Sequence, residues 1–171
     1  IASSTGLPII LYNVPGRTSV NLLPSTVARL AEIPQIMGIK EATGDMKQVS
    51  EIIRLCGDKI TVLSGDDFTN LTLLALGGKG AISVTANICP GDMAELFNAW
   101  ERGDIAKARQ LHYKLEPINK VMFIETNPIP VKTALSMIGK IKEEFRLPLC
   151  EMSQSNKEKL AEVLRNAGLI K

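Results

Sequence analysis

Four short apolar runs punctuate the first half of the chain, at residues 8–12 (PIILY), 36–40 (IMGIK), 60–64 (ITVLS) and 80–84 (GAISV). Each is nearly continuous in apolar character, which is how a strand buried on both faces reads, and parallel sheets are the usual setting. Helical spacing fills the intervals. Pro24 opens a stretch with Val27, Ala28, Leu30 and Ala31 apolar that ends before Pro34. Asp45 is placed to N-cap the next helix, whose face is Val49, Ile52, Ile53 and Cys56 and whose stop is Gly57. A third runs from Phe68 to Leu76 and ends at Gly77-Gly78. The repeat is a β-α unit, the signature of α/β architecture.

Beyond the fourth run the pattern is helical only. Met93, Leu96, Phe97 and Trp100 follow i, i+3, i+4, i+7 spacing. Gly103-Asp104 turns the chain into a helix bearing Ile105, Ala108 and Leu115, and a third helix follows Pro130 with Val131, Ala134, Leu135 and Ile138. The last carries a Ser155–Glu158 capping box before Leu160, Val163, Leu164 and Ala167, with Gly168 as its stop. A (β/α)8 barrel needs eight strands and about 250 residues, and only four strands are legible. The chain also starts without Met, and Ser3-Ser4-Thr5-Gly6 reads like a helix end. Two readings stand on pattern alone: part of a longer chain, or a small four-stranded domain. The first predicts about 120 further N-terminal residues, four β-α units at about 30 residues each.

Composition narrows the function classes. Hydrophobic residues make up 45 % of the 171, too many for a disordered chain, and with aromatics at 4 % the core must be aliphatic. A net charge of +2 leaves no electrostatic footprint for nucleic acid. No apolar run approaches the length of a membrane span, and the first residues lack the basic and apolar regions of a signal peptide. Cys56, Cys89 and Cys150 are odd in number and widely spaced, which suggests neither a zinc site nor a disulfide framework and fits a reducing cytoplasm. Asn70-Leu71-Thr72 matches a glycosylation pattern by chance in that setting.

Three residues could carry chemistry. Lys40 ends an otherwise apolar strand. In a dry cavity such a lysine is available as the neutral amine that attack on a ketone requires; at the wet lip of a sheet it only snorkels. Functional residues of β/α barrels cluster at the C-terminal strand ends, where Lys40 would sit. Tyr12 also ends its strand, as a proton shuttle or as an amphipathic core residue with a wet hydroxyl. Arg17 follows in the Pro15-Gly16 turn, either gripping a carboxylate with its planar fork or simply solvated. Gly78-Lys79-Gly80 precedes a strand and so is a turn, not a phosphate loop. His112 is the only histidine, which leaves it packing or a subunit contact, and one of Asp66 and Asp67 is expected to cap a helix rather than bind a metal.

At this point the residues resemble a known family. Tyr12 to Thr18 (YNVPGRT) is similar to the tyrosine and arginine motif of the dihydrodipicolinate synthases, and Gly38 to Asp45 (GIKEATGD) to their Schiff-base motif. Ser64-Gly65-Asp66-Asp67, Gly80 to Val84 (GAISV) and Glu125 to Lys132 (ETNPIPVK) resemble further family segments in the same order, so the resemblance covers essentially the whole chain. It implies an α/β fold, the second half of a (β/α)8 barrel (strands five to eight) over residues 1–103, and a helical C-terminal domain over residues 104–171.

The resemblance also implies a lyase of lysine and diaminopimelate biosynthesis in the cytoplasm. Lys40 would form an imine with pyruvate, and the derived enamine would attack aspartate semialdehyde to give 4-hydroxy-tetrahydrodipicolinate. Tyr12 would shuttle protons, Arg17 would bind the semialdehyde carboxylate, and backbone groups of Gly65 and Ile82 would line the pocket. No cofactor, catalytic metal, nucleic acid or membrane is implied, and the full-length form is expected to be a homotetramer. The family's relay continues through a threonine and a second tyrosine that these residues do not supply, Tyr113 being on a C-terminal helix, so the 171 residues alone are expected to be inactive. Two other readings stay open: another pyruvate-dependent lyase, acting on N-acetylneuraminate or a keto-deoxy sugar acid, and a non-catalytic half-barrel serving as a binding or oligomerisation module. The Gly16-Arg17-Thr18 turn favours the synthase over the sugar-acid aldolases.

Overall fold

The apolar runs become four parallel strands in the computed structural model, which describes residues 1–171: β1 (Ile9–Asn13), β2 (Ile36–Glu41), β3 (Thr61–Ser64) and β4 (Gly80–Ala81). They lie in one sheet in chain order, β1-β2-β3-β4. Every pairing is parallel, so each step from strand to strand needs a crossover. Short helices supply them: α1 (Pro15–Thr18) and α2 (Pro24–Leu30) after β1, α3 (Met46–Cys56) after β2, and α4 (Asn70–Ala75) after β3. The strand expected over residues 80–84 pairs only at its first two residues. Helix α1 occupies what the sequence suggested was a tight turn, with Ser19 in the left-handed conformation (φ 58°) as its end.

Register decides which side chains share a face. Leu11, Ile39 and Val62 lie across from one another. Ile39 and Val62 join Val27, Val49, Ile52, Cys56 and Leu73 in a core between the sheet and its helices. Helix α3 forms where expected because Asp45 accepts hydrogen bonds from the backbone N–H of Lys47 (2.9 Å) and Gln48 (3.2 Å), and it stops at Gly57 (φ 55°). Successive strand residues face opposite sides. The row Tyr12, Lys40, Leu63, Gly80 therefore lies on the face away from this core. That face is open: Ile10 is 49 % and Tyr12 53 % exposed.

The chain divides into two compact units, Ile1–Ser83 and Val84–Lys171. The second is helical: α5 (Pro90–Glu101), α6 (Ile105–Val121), α7 (Ile129–Met137) and α8 (Gln154–Asn166). Asp104 caps α6 by accepting from the Lys107 N–H at 3.0 Å. The boundary expected between residues 103 and 104 falls in the turn between α5 and α6, inside this second unit. Helix α8 starts at Gln154, so Ser155 lies within it and the expected capping box does not form. Ser153 is the N-cap residue, and Glu125 anchors it from a distance: one carboxylate oxygen accepts from the Ser153 N–H (3.0 Å), the Ser153 hydroxyl (2.8 Å) and Asn156 Nδ2 (2.8 Å). No helix is long and apolar enough to cross a membrane.

The α/β expectation needs a correction. What is present is an open four-stranded parallel sheet with helical crossovers and a helical unit; a second half of a (β/α)8 barrel, with strands numbered five to eight, is not what the chain forms by itself. The physical reason is that successive β-α units give the same apolar runs and helical spacing wherever they occur, so periodicity carries neither closure nor a unit's place in a longer series.

Candidate active site

Lys40 and Tyr12 are brought together by register. They are direct neighbours on β2 and β1, near the C-terminal ends of both strands and on the open face. The Lys40 Nζ lies 4.1 Å from the centroid of the Tyr12 ring, over its face. Such a contact orients a lysine head through the ring's quadrupole. Lys40 is half-buried while Tyr12 is exposed, so the pair is open to a small molecule approaching that face.

Gly65 completes the pair's surroundings. It follows β3 by one residue, and its N–H donates to the Glu41 carbonyl at 2.8 Å. A Cβ there would lie 2.9 Å from Lys40 Cε, 3.0 Å from Lys40 Cγ and 2.7 Å from Ala42 Cβ. Only hydrogen leaves the lysine stem its present path. Ile82 follows β4 by one residue; its N–H donates to the Ser64 carbonyl at 2.8 Å and its side chain is 45 % exposed. Arg17 sits on α1, exposed and without an ion pair, so its guanidinium is available to an anion. Register and packing thus unite Tyr12, Lys40 and Gly65; Ile82 ends the adjoining strand, and Arg17 stands on the helix that follows β1.

The Asp66–Asp67 pair is occupied with the backbone and its neighbours. Asp66 accepts from the Phe68 N–H at 3.2 Å and Asp67 from Asn70 Nδ2 at 3.2 Å. Burial pushes the Asp66 carboxyl above the usual aspartate range; the Phe68 N–H opposes this and the neighbouring Asp67 adds to it. No group of three or more His, Cys, Asp or Glu side chains is placed to hold a metal ion. Burial also raises the thiols of Cys56 and Cys89, and all three cysteines are free.

Sequence reasoning missed the polar residues packed behind the pair. Asn13 and Glu41, one residue past Tyr12 and Lys40, are each 2 % exposed, and Gln48 of α3 is 8 % exposed. Glu41 Oε2 accepts from Asn13 Nδ2 (2.9 Å) and Gln48 Nε2 (3.1 Å), and Oε1 from the Thr43 N–H (2.8 Å). A signal existed: strand alternation turns residues 13 and 41 inward when 12 and 40 face out, and Gln48 directly precedes the buried Val49 on α3.

Fold and geometry define a parallel α/β chain that presents an amine and a phenol side by side at neighbouring strand ends. The chain belongs to the dihydrodipicolinate synthetase family, whose sequence model matches residues 1–167. It is 88 % identical over 171 residues to the 4-hydroxy-tetrahydrodipicolinate synthase of Thermodesulfovibrio yellowstonii, a match covering 100 % of this chain and 59 % of that protein. The protein of the same name from Syntrophus aciditrophicus is 56 % identical over 170 residues, covering 99 % and 58 %. Among solved structures, the chloride-inhibited dihydrodipicolinate synthase from Acinetobacter baumannii complexed with pyruvate superposes with a TM-score of 0.95 at 46 % identity, covering 99 % of this chain and 58 % of that one. The chain therefore spans 58–59 % of the length of these relatives, an extent that overturns its description as a C-terminal half.

Proposed function

We propose that the native polypeptide is a Schiff-base-forming lyase that condenses pyruvate with aspartate semialdehyde to give 4-hydroxy-tetrahydrodipicolinate, a step of diaminopimelate and lysine biosynthesis. The observation that carries this is Lys40 beside Tyr12 on adjacent parallel strands, in a chain whose relatives bear the synthase name. The neutral Lys40 amine attacks the ketone carbon of pyruvate, and loss of water leaves an imine. Protonated, this imine is an electron sink: the methyl carbon gives up a proton and becomes an enamine. The enamine carbon forms a bond to the aldehyde carbon of the semialdehyde, whose oxygen takes a proton. The amino group of the adduct then displaces Lys40 as the ring closes.

Each proton step needs a donor and acceptor close to the nitrogen, and the Tyr12 phenol is the group that register sets beside it. Arg17 offers a charge-assisted fork to the semialdehyde carboxylate. Gly65 and Ile82 contribute backbone at the pocket wall. The A. baumannii neighbour, complexed with pyruvate, supports the choice of first substrate. The Gly16-Arg17-Thr18 segment and the relatives' names support the synthase over a sugar-acid aldolase. A homotetramer is the assembly proposed for the native protein, and the three free cysteines suit a reducing cytoplasm.

The test is reductive trapping. Pyruvate plus borohydride, applied to the native polypeptide, leaves one covalent adduct on the tryptic peptide that contains Lys40. Lys40→Arg abolishes it, because a guanidinium stays protonated and cannot attack. An adduct on a different lysine, or undiminished turnover in Lys40→Arg, would falsify the mechanism.

A further inference from the structure

The covered face behind the Tyr12–Lys40 pair holds a ring of polar side chains for which the reaction above has no use. Glu41 is buried and has no cationic partner, and a buried carboxylate is costly unless hydrogen-bonded. Its three donors are Asn13 Nδ2, Gln48 Nε2 and the Thr43 N–H. The ring closes through Asn21. Its Oδ1 accepts from Asn13 Nδ2 (2.9 Å) and Gln48 Nε2 (3.1 Å), and its Nδ2 donates to Gln48 Oε1 (3.0 Å). Asn13 Oδ1 in turn accepts from the Leu22 N–H at 2.9 Å. Both amide hydrogens of Asn13 and of Gln48 are used, so the network has no slack donor there.

The segments tied by this ring are the ones that carry the candidate site. Asn13 is the residue after Tyr12, and Glu41 the residue after Lys40. The Thr43 N–H anchors the loop after β2, whose Ala42 packs against Gly65. Asn21 and Leu22 hold the far end of the segment that begins after Asn13 and bears Arg17. Gln48, in the first turn of α3, fixes the ring to the core.

We propose that Asn13, Asn21, Glu41 and Gln48 are positioning residues with two separable arms. One arm, Asn13–Glu41–Gln48, aligns the ends of β1 and β2 and so sets the Lys40 amine against Tyr12. The other, running through Asn21, sets the Arg17 segment. The proposal rests on the synthase reading for its kinetic test, but not for its second test.

In the native polypeptide, Asn21→Ala removes three neutral side-chain hydrogen bonds; it raises KM for aspartate semialdehyde about tenfold and leaves the rate of borohydride-trapped pyruvate adduct within about twofold. Glu41→Gln, at a residue that makes no hydrogen bond to Asn21, does the reverse, slowing adduct formation about tenfold with a smaller change in that KM. A merely structural role would move both readouts together, and equal loss in both, or no loss, overturns the proposal. Should Glu41→Gln fail to fold, Asn21→Ala still decides it through its own split between KM and adduct rate. The second test needs no reaction: Asn21→Ala speeds tryptic cleavage after Arg17 several-fold with cleavage elsewhere unchanged, and an unchanged rate after Arg17 also overturns it. A wild-type protein that forms no adduct refutes the synthase reading alone, and the tryptic rate then decides the network.

Discussion

Gly65 and Arg17 make opposite demands at the scale of single residues. Gly65→Ala would push a methyl group into the Lys40 stem and Ala42. Overpacking of this kind costs about 1–3 kcal/mol; the lysine stem can swing aside, whereas the Ala42 methyl, at 2.7 Å, moves only with its backbone. We expect the pyruvate adduct to form at least about tenfold more slowly in Gly65→Ala, while thermal melting falls only within the range of that overpacking cost; a trapping time course beside a melting curve checks both. Arg17 makes no ion pair that would have to break. Its replacement by Ala should leave imine formation intact and weaken use of aspartate semialdehyde by about 2 kcal/mol, roughly thirtyfold in kcat/KM. Equal loss in the two half-reactions would sink the role given to it. The strand-end places of Lys40 and Tyr12 were legible because each ends an apolar run, while the roles proposed for them came from the resemblance of the YNVPGRT and GIKEATGD segments. The Asn13–Glu41–Gln48 ring was not legible, because its members meet only through the β1–β2 register and the placement of α3 on that face.

Secondary-structure elements were legible where their start and stop signals are local. Helix α3 runs between Asp45 and Gly57, as a cap and a glycine stop dictate. Strands β1, β2 and β3 lie within a residue or so of their apolar runs, while β4 is cut to Gly80–Ala81. Helix α8 shows the limit. Its N-cap position is Ser153, held by Glu125 from far back in the chain, so the local Ser155–Glu158 pattern falls inside the helix; Glu158 accepts from Gln154 Nε2 at 3.0 Å. Hydrogen bonds from Asn156 first, then from Ser153, hold the Glu125 carboxyl below the usual glutamate range. A lowered folded-state value means that this stabilisation is complete above the ordinary glutamate range and is lost as pH falls through the folded value. Glu125→Ala should therefore cost about 1 kcal/mol at neutral pH, the usual net worth of a hydrogen bond, and lower Tm by about 2–4 °C. The difference from wild type should shrink on acidification; a gap that persists in acid would refute the assignment.

At the scale of the whole molecule, the sheet is covered on one side and bare on the other. Ile10, Tyr12 and Ile82, each between 45 % and 53 % exposed, lie at or beside the open face. Exposed apolar side chains bind hydrophobic dyes. The 171-residue polypeptide studied by itself should enhance the fluorescence of anilinonaphthalene sulfonate while keeping native secondary structure by circular dichroism. An absence of dye binding in a folded sample would show that this face is protected. The parallel order of the strands has a temporal consequence as well. No two neighbouring strands are joined by a hairpin; each pair meets only after an intervening helical crossover has been closed, and such non-local contacts form slowly. Helices α5 and α6 need only the turn at Gly103 and Asp104 to meet. In a pulse-labelled refolding experiment, amide protons of residues 90–121 should gain protection from exchange before those of β1 to β3, so that the helical unit is born first and the strand ends bearing Lys40 and Tyr12 come into alignment last.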